Sequence, residues 1–391
     1  MPAETLPQRP GKGRTPTAIP RAHIHRERGD GFSLTRIETT PVSEFHLTVA
    51  PLRGETPGSM VRRLAAVLNE HEATVVQAIV FGSVRAHSQT VAALRQALDD
   101  PELAATWVEG AACGDHPIAG LQIHAVSGAN VRTITPGTAR GRVWTDAVAT
   151  HCAFGNLGPA RITASPAEQA RETFENLQGG LIEVGMTMKD VARTWFFLDD
   201  ILSWYGEFNR VRNDFFARSE LRSGSVPAST GVSGLNPAGA ALTAAARAVR
   251  AHEPTARIVE VVPSPRQCPA PAYGSAFSRA VELNLAGHRQ VLVSGTASIE
   301  PGGRTAHVAD VRAQIALTLQ VVEALLASRG MTFADVSRAT AYFKSPGDAP
   351  VFDEWIARHE LSAMPAVRTV CDICRADLLF EIELDAVQSA A

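Results

Sequence analysis

The chain has 391 residues, of which 45% are hydrophobic and 20% charged, with a formal net charge of −3. That length calls for two or three domains, and the charge lacks the basic footprint expected of a nucleic-acid-binding protein. No run approaches eighteen apolar residues, so no membrane span and no membrane partner are expected.

Residues 1–32 are rich in Pro, Arg and Gly and lack the apolar stretch of a signal peptide, so a disordered tail is expected there. Within it the His23-Ile-His25 pair reads as incidental. Residues 33–127 then offer a helix over 57–72, an apolar strand over 75–81, a second helix over 88–98 and a strand over 118–126. This order marks a degenerate first domain. Residues 128–252 form a second domain, with a helix over 167–184 that stops at Gly185, a strand over 191–198, a helix over 204–216, and two strands after Pro227. Residues 253–391 run through the same order, with helices over 311–328 and 350–359 and a strand over 336–343. Gly at the helix ends supplies the left-handed C-cap.

The last two domains are copies of one another. Gln169, Thr173, Leu181, Gly185, Met186, Thr187, Asp190, Val191 and Arg193 meet identical residues 145 positions later (314 − 169), from Gln314 to Arg338. Nine ungapped identities over so short a span define an internal repeat. The pattern is α+β, with helices packed on one side of mixed sheets.

Five cysteines stand at Cys113, Cys152, Cys268, Cys371 and Cys374. Without a secretory signal they read as reduced thiols in a cytoplasmic protein. Cys371 and Cys374 form a lone C-x-x-C with no second pair. Three residues apart on a strand, they point to opposite faces, which argues against a zinc or redox site. Neither a metal nor a cofactor is expected. Gly302-Gly303 reads as a hairpin turn, since no helix follows it to cradle a phosphate.

The candidate site lies near the C-terminus. If Arg375-Ala376 is a two-residue turn, strand alternation puts Arg368, Cys374, Glu381 and Glu383 on one face. Cys371, Phe380, Ile382 and Leu384 then share the packing face. A one-residue slip would disperse the set. Arg368 suits a planar carboxylate, or alternatively a salt bridge to Glu383. Glu381 on a half-buried face is a candidate general acid or base, or a paired strand glutamate. Cys374 either lines the pocket or is an inert buried thiol. Matched by position, Thr243 and Gly120 replace Glu381 in the second and first repeats, so the acid belongs to the third repeat alone.

The segments Pro365-Ala-Val-Arg368-Thr and Phe380-Glu381-Ile-Glu383, with Ser294-Gly-Thr-Ala297 and Gly330-Met-Thr332, resemble the Rid (YjgF) family. That resemblance implies a chorismate mutase-like fold whose units associate in threes, here as an intrachain pseudo-trimer with ligand sites between units. Residues 185–388 are similar to chorismatases in Arg193-Thr-Trp195, Ala217-Arg218-Ser219, Pro227-Ala-Ser-Thr230, Tyr273-Gly274 with Phe277-Ser-Arg279-Ala280, and Cys374-Arg375-Ala-Asp377-Leu-Leu-Phe-Glu381-Ile-Glu383. Phe196-Phe197 and Lys344 depart from the family's Asn-Tyr and Arg.

The resemblance implies cleavage of an enol ether in chorismate or a related cyclic carboxylate, with pyruvate released. Glu381 and Cys374 would be catalytic, and Arg368, Lys344, Arg218 and Tyr342 would bind substrate. A Rid-type imine or enamine deaminase and a non-catalytic carboxylate-binding protein are the rival readings. The expected partner is a small carboxylated molecule, with the chain acting as a monomeric pseudo-trimer or a higher homo-oligomer.

Overall fold

A computed structural model describes residues 21–112, 114–135, 140–219, 221, 226–361 and 364–390, so Cys113 and most of the expected tail lie outside the described residues. The first unit comprises β1 (His23–Gly29), β2 (Phe32–Glu38), β3 (Ser43–Val49), α1 (Pro57–Glu70), β4 (Thr74–Gly82), α2 (His87–Ala97), β5 (Ala105–Val108), β6 (Ala111–Ala112) and β7 (Ile118–Ser127). The second comprises β8 (Arg132–Ile134), β9 (Arg140–Thr145), β10 (Ala149–Leu157), α3 (Pro166–Glu183), β11 (Val191–Leu198), α4 (Ile201–Arg218), β12 (Ala228–Ser233) and β13 (Leu242–Ala251). The third comprises β14 (Val259–Val262), β15 (Ala280–Leu285), β16 (His288–Ala297), α5 (Val311–Ala327), β17 (Val336–Phe343), α6 (Ala349–Arg358), β18 (Ala366–Val370) and β19 (Phe380–Ser389).

The tail expected over residues 1–32 is contradicted at its described end. His23–Gly29 forms a strand paired with Phe32–Glu38 across a turn at Gly31, and Ala22 N donates to Gly287 O. Charged residues on this edge strand masked it in the sequence, because little of it is buried.

Local signals repeat between the second and third units. Ser165 and Glu168 form a capping box that starts α3, and Asp310 caps α5. Both helices run into a glycine at positive φ, Gly185 and Gly330. Thr187 with Asp190, and Thr332 with Asp335, close identical short turns before β11 and β17. In each unit a helix pair packs on one sheet face, burying Phe174, Phe196 and Phe208 in the second and Leu319, Phe343 and Phe352 in the third.

The opposite sheet faces meet at a pseudo-threefold axis. Sheet orders are β1-β2-β3-β7-β4-β5, β12-β11-β13-β10-β9-β8 and β14-β15-β16-β19-β17-β18-β6. In each, the strand after the first helix pairs antiparallel with the unit's last strand, and the register shifts at the same place: Val75/Gln77, Val191/Arg193 and Val336/Arg338. The first unit is thus a third copy. Counting from that bulge, Phe81, Phe197 and Tyr342 are equivalent, and they meet edge to face around the axis with centroids 5.9 and 6.0 Å apart. The same count aligns Gly120, Thr243 and Glu381, and then Gln122, Ala245 and Glu383.

Hydrogen bonds between strands of different units close the ring. Asn156 N donates to Thr106 Oγ1 between the first and second units (2.8 Å), Ser229 N to Ser294 Oγ between the second and third (2.8 Å), and Gln122 Nε2 to Ala339 O between the first and third (2.6 Å). No helix among the described residues is long and apolar enough to cross a membrane.

A buried polar cluster joins the units on the same axis. Glu44 accepts from His124 Nε2 (3.0 Å), whose ring stacks on His46, and Gln290 of the third unit reaches Glu44 at 3.3 Å. Burial and the Arg247 charge push His124 down to about 4, and burial with neighbouring cations holds His46 well below its usual range. In the unfolded chain both histidines take up protons near pH 6.5. The unfolded state therefore binds more protons, and stability present above pH 6.5 is lost as pH falls towards 4. His124 alone contributes roughly 3 kcal/mol of that loss. Urea unfolding at pH 7.5 and 5 should show the drop, and His124→Gln should flatten the difference.

Candidate active site

The cavity of interest, of about 230 Å³, opens where the second and third units meet. α4 of the second unit presents Tyr205, Asn209 and Arg212, spaced four and three residues apart and hence on one helix face. That face is polar, whereas Trp204, Phe208 and Val211 of the same helix are buried in the core of the unit. The third unit contributes Gly295 at the end of β16, the segment carrying Tyr273 and Arg279, and Cys374, Arg375 and Glu381 around the start of β19.

Glu381 is buried, yet its carboxyl makes no hydrogen bond or salt bridge among the described residues. Burial, reinforced by the negative charge of Glu383, raises its carboxyl to about 8 against the pull of Arg193 and Arg279. The acid therefore carries a proton at neutral pH. Its carboxyl leans on Gly295, where a Cβ would lie 2.1 Å from Glu381 Oε1. Cys374 also lines the cavity, and burial with the Glu381 charge pushes its thiol up to about 12, leaving it protonated and weakly nucleophilic.

Three guanidinium groups line the cavity, and none makes a salt bridge among the described residues. Arg212 is buried, donates to Asn209 Oδ1 at 2.6 Å, and lies 5.4 Å from the Phe208 ring and 5.8 Å from that of Phe277. Arg279 is buried too and gives Nε and Nη2 to Cys268 O at 3.1 Å each. Arg375 donates to Gly303 O at 2.9 Å. Tyr273 receives Arg279 at 5.4 Å and Arg375 at 5.6 Å from its ring. Arginines without carboxylate partners around a neutral acid make a cavity built for an anion.

The model of the endoribonuclease L-PSP family matches residues 153–250 and 268–388, more than half of the chain. The chain belongs to the endoribonuclease L-PSP family. Within that Rid family it is the tandem-repeat form of the chorismatase branch. The 3-hydroxybenzoate synthase of Streptomyces hygroscopicus is 30% identical over 251 residues, spanning 56% of this chain and 70% of that protein. A crystal structure of chorismatase superposes with a TM-score of 0.61 at 20% identity, covering 80% of this chain and 93% of that one. E. coli TdcF with bound serine gives a TM-score of 0.27 at 23% identity, covering 33% of this chain and 99% of that one.

Of the residues expected at the site, the cavity gathers Glu381 and Cys374 and leaves out the other four. The hairpin on which Arg368 was placed does not form. β18 pairs parallel with β17, which separates it from β19. Arg368 lies beside Ala341, and Ala341 beside Ile382, so Arg368 shares the helix-packing face rather than that of Glu381. There it stacks over Phe352 at 5.7 Å and pairs with Asp353 at 2.7 Å. Cys374 sits in the loop before β19 rather than on a strand. Lys344 braces that loop by donating to Ala376 O at 2.5 Å. Arg218 is exposed in the last turn of α4, and Tyr342 fills the axis with a hydroxyl that has no hydrogen-bond partner among the described residues.

The unassigned arginines had left signals in the sequence. Arg279 and Arg375 stand inside chorismatase-like elements, and Arg212 completes the polar stripe on α4.

Gly295→Ala should displace the Glu381 carboxyl while the fold persists, seen as lost ligand binding with an unchanged circular dichroism spectrum. Arg368→Ala, which removes a surface pair, should cost under about 1 kcal/mol and leave binding intact. Loss of binding in Arg368→Ala would contradict this placement.

Proposed function

We propose that the protein cleaves the enol ether of chorismate or a closely related cyclic dicarboxylate, releasing pyruvate. The observation that carries this reading is a buried, unpartnered Glu381 carboxyl in a cavity lined by three arginines without carboxylate partners. Two carboxylates need two cationic clamps, whereas a simple imino acid needs one, which favours this substrate over that of an imine deaminase. The names of the relatives, a chorismatase and a 3-hydroxybenzoate synthase, support the same class.

In this reading Arg212, Arg279 and Arg375 hold the carboxylates and fix the ether beside Glu381. The acid gives its proton to the terminal methylene carbon, leaving positive charge on the ether carbon. Water adds to that carbon, the bond from it to the ring oxygen breaks, and the ring leaves as an alcohol. The remaining three carbons are pyruvate; of the two protons of the water, one leaves on the ring oxygen and the other returns to Glu381. Cys374, a neutral thiol, shapes the wall beside the ring.

Because the acid form is the active one, kcat/KM should hold below pH 8 and fall about tenfold per unit above it. Glu381→Gln should lower pyruvate release by about 100-fold or more. A coupled pyruvate assay with chorismate checks both; release by Glu381→Gln equal to that of the unaltered protein would sink the reading.

A further inference from the structure

Glu381 has a charged neighbour that the proposed chemistry does not use. β19 alternates, so Glu381, Glu383 and Asp385 share one face. Glu383 is fully buried, and its oxygens accept from Arg338 Nη2 (2.6 Å), Trp195 Nε1 (2.6 Å), Arg193 Nη2 and Thr230 Oγ1 (3.5 Å). Arg193, Trp195 and Thr230 belong to the second unit, while Arg338 belongs to the third.

This clamp reaches the cavity wall. Thr230 Oγ1 accepts from Arg193 Nη2 at 2.8 Å and from Gly295 N at 3.1 Å. Gly295 is the surface on which the Glu381 carboxyl leans. One short chain of contacts therefore runs from the axial ion cluster through Thr230 and Gly295 to the acid.

The charges facing Glu381 are Arg193 from β11, Arg279 from the segment before β15, and Glu383 from its own strand. Arg212 of α4 and Arg375 of the loop before β19 line the same cavity. Tyr205, Tyr342, Cys371 and Cys374 also interact with Glu381, and all four are uncharged because burial raises each of them. Among these groups Glu383 supplies the negative charge. It pairs with Arg338 and neutralises Arg193, which would otherwise stabilise an ionised Glu381 from behind.

We infer that Glu383 is a positioning residue: clamped between two units, it pairs the axial arginines and, through Thr230 and Gly295, fixes the wall on which the Glu381 carboxyl leans. The inference rests on the assignment of Glu381 as the acid of the site. Glu383 touches no ligand in this scheme and acts through Glu381.

The test reads the Glu381 proton directly, without substrate. The full chain carrying carboxyl-¹³C glutamate is titrated by NMR, and the Glu381 signal is assigned by its loss in Glu381→Gln. The unaltered protein should titrate near pH 8. Glu383→Gln, which exposes Glu381 to uncompensated arginines, should move the midpoint down by at least about one unit. Arg193→Gln, which removes a cation, should move it up. A merely structural role would admit water in both variants and lower both midpoints. Unchanged midpoints, or downward shifts in both, would overturn the inference. If Glu383→Gln does not fold, the direction in Arg193→Gln decides. Failure of pyruvate release with opposite shifts intact would reject the proposed substrate and leave the tuning standing.

Discussion

The molecule depends on one buried ion cluster, in which Arg193 and Trp195 of the second unit grip Glu383 of the third while Arg338 grips it from its own sheet. A carboxylate with no exposed surface is tolerable only when fully paired, and breaking such a pair costs about 3–5 kcal/mol because the remaining charge stays buried. The two units can therefore dock in only one register. That register decides where α4 lies relative to β19, and so decides that Arg212 and Glu381 line one cavity. The equivalents of Glu383 are Ala245 and Gln122, and Gln122 uses its amide to bind Ala339 O across a different junction. Because each junction carries different polar chemistry, the three similar units can assemble in one order around the axis.

Two glutamates two residues apart on one strand end in opposite states, and distance to the arginines explains why. Burial alone would raise both. Glu383 is nevertheless brought down to about 2 by Arg338, Arg193 and their hydrogen bonds, whereas Glu381 receives no donor and rises to about 8. The axial cluster spends its cations on Glu383, which leaves the cavity acid neutral. Holding the fold and setting the chemistry are thus the same electrostatic arrangement seen from its two ends.

Much of this was legible in the sequence because it rests on local patterns. The offset of 145 residues, with its identities at Thr187 and Asp190, reappears as matching turns before β11 and β17, and the positional match of Thr243 and Gly120 to Glu381 reappears in the register of the sheets. The placement of Arg368 did not carry over, since it depended on which strands are neighbours. Alternation assigns a face only once the partner is known, and Arg375-Ala376, read as a two-residue turn, lies within a longer loop over 371–379 that lets β17 intervene. The arginines of the cavity were hidden for a related reason. Arg212 and Glu381 are 169 positions apart (381 − 212) and come together only through docking of units. No periodicity within one element reports such a meeting.

The same three-unit ring explains why only one of the three equivalent positions Gly120, Thr243 and Glu381 holds an acid. At the first-to-third junction Gly120 occupies the position of Glu381, and a side chain there would lie 2.7 Å from Val367 Cγ2. Hydrocarbon fills the space that a carboxyl takes beside Gly295. In the second unit Thr243 stands at that position and turns its hydroxyl to Leu157 O at 3.3 Å. Both replacements satisfy themselves within the protein, leaving no unpartnered polar group to meet a ligand. Glu381 is the one member of the three whose chemistry remains unsatisfied by its own chain, and Gly295 is the residue that makes room for it.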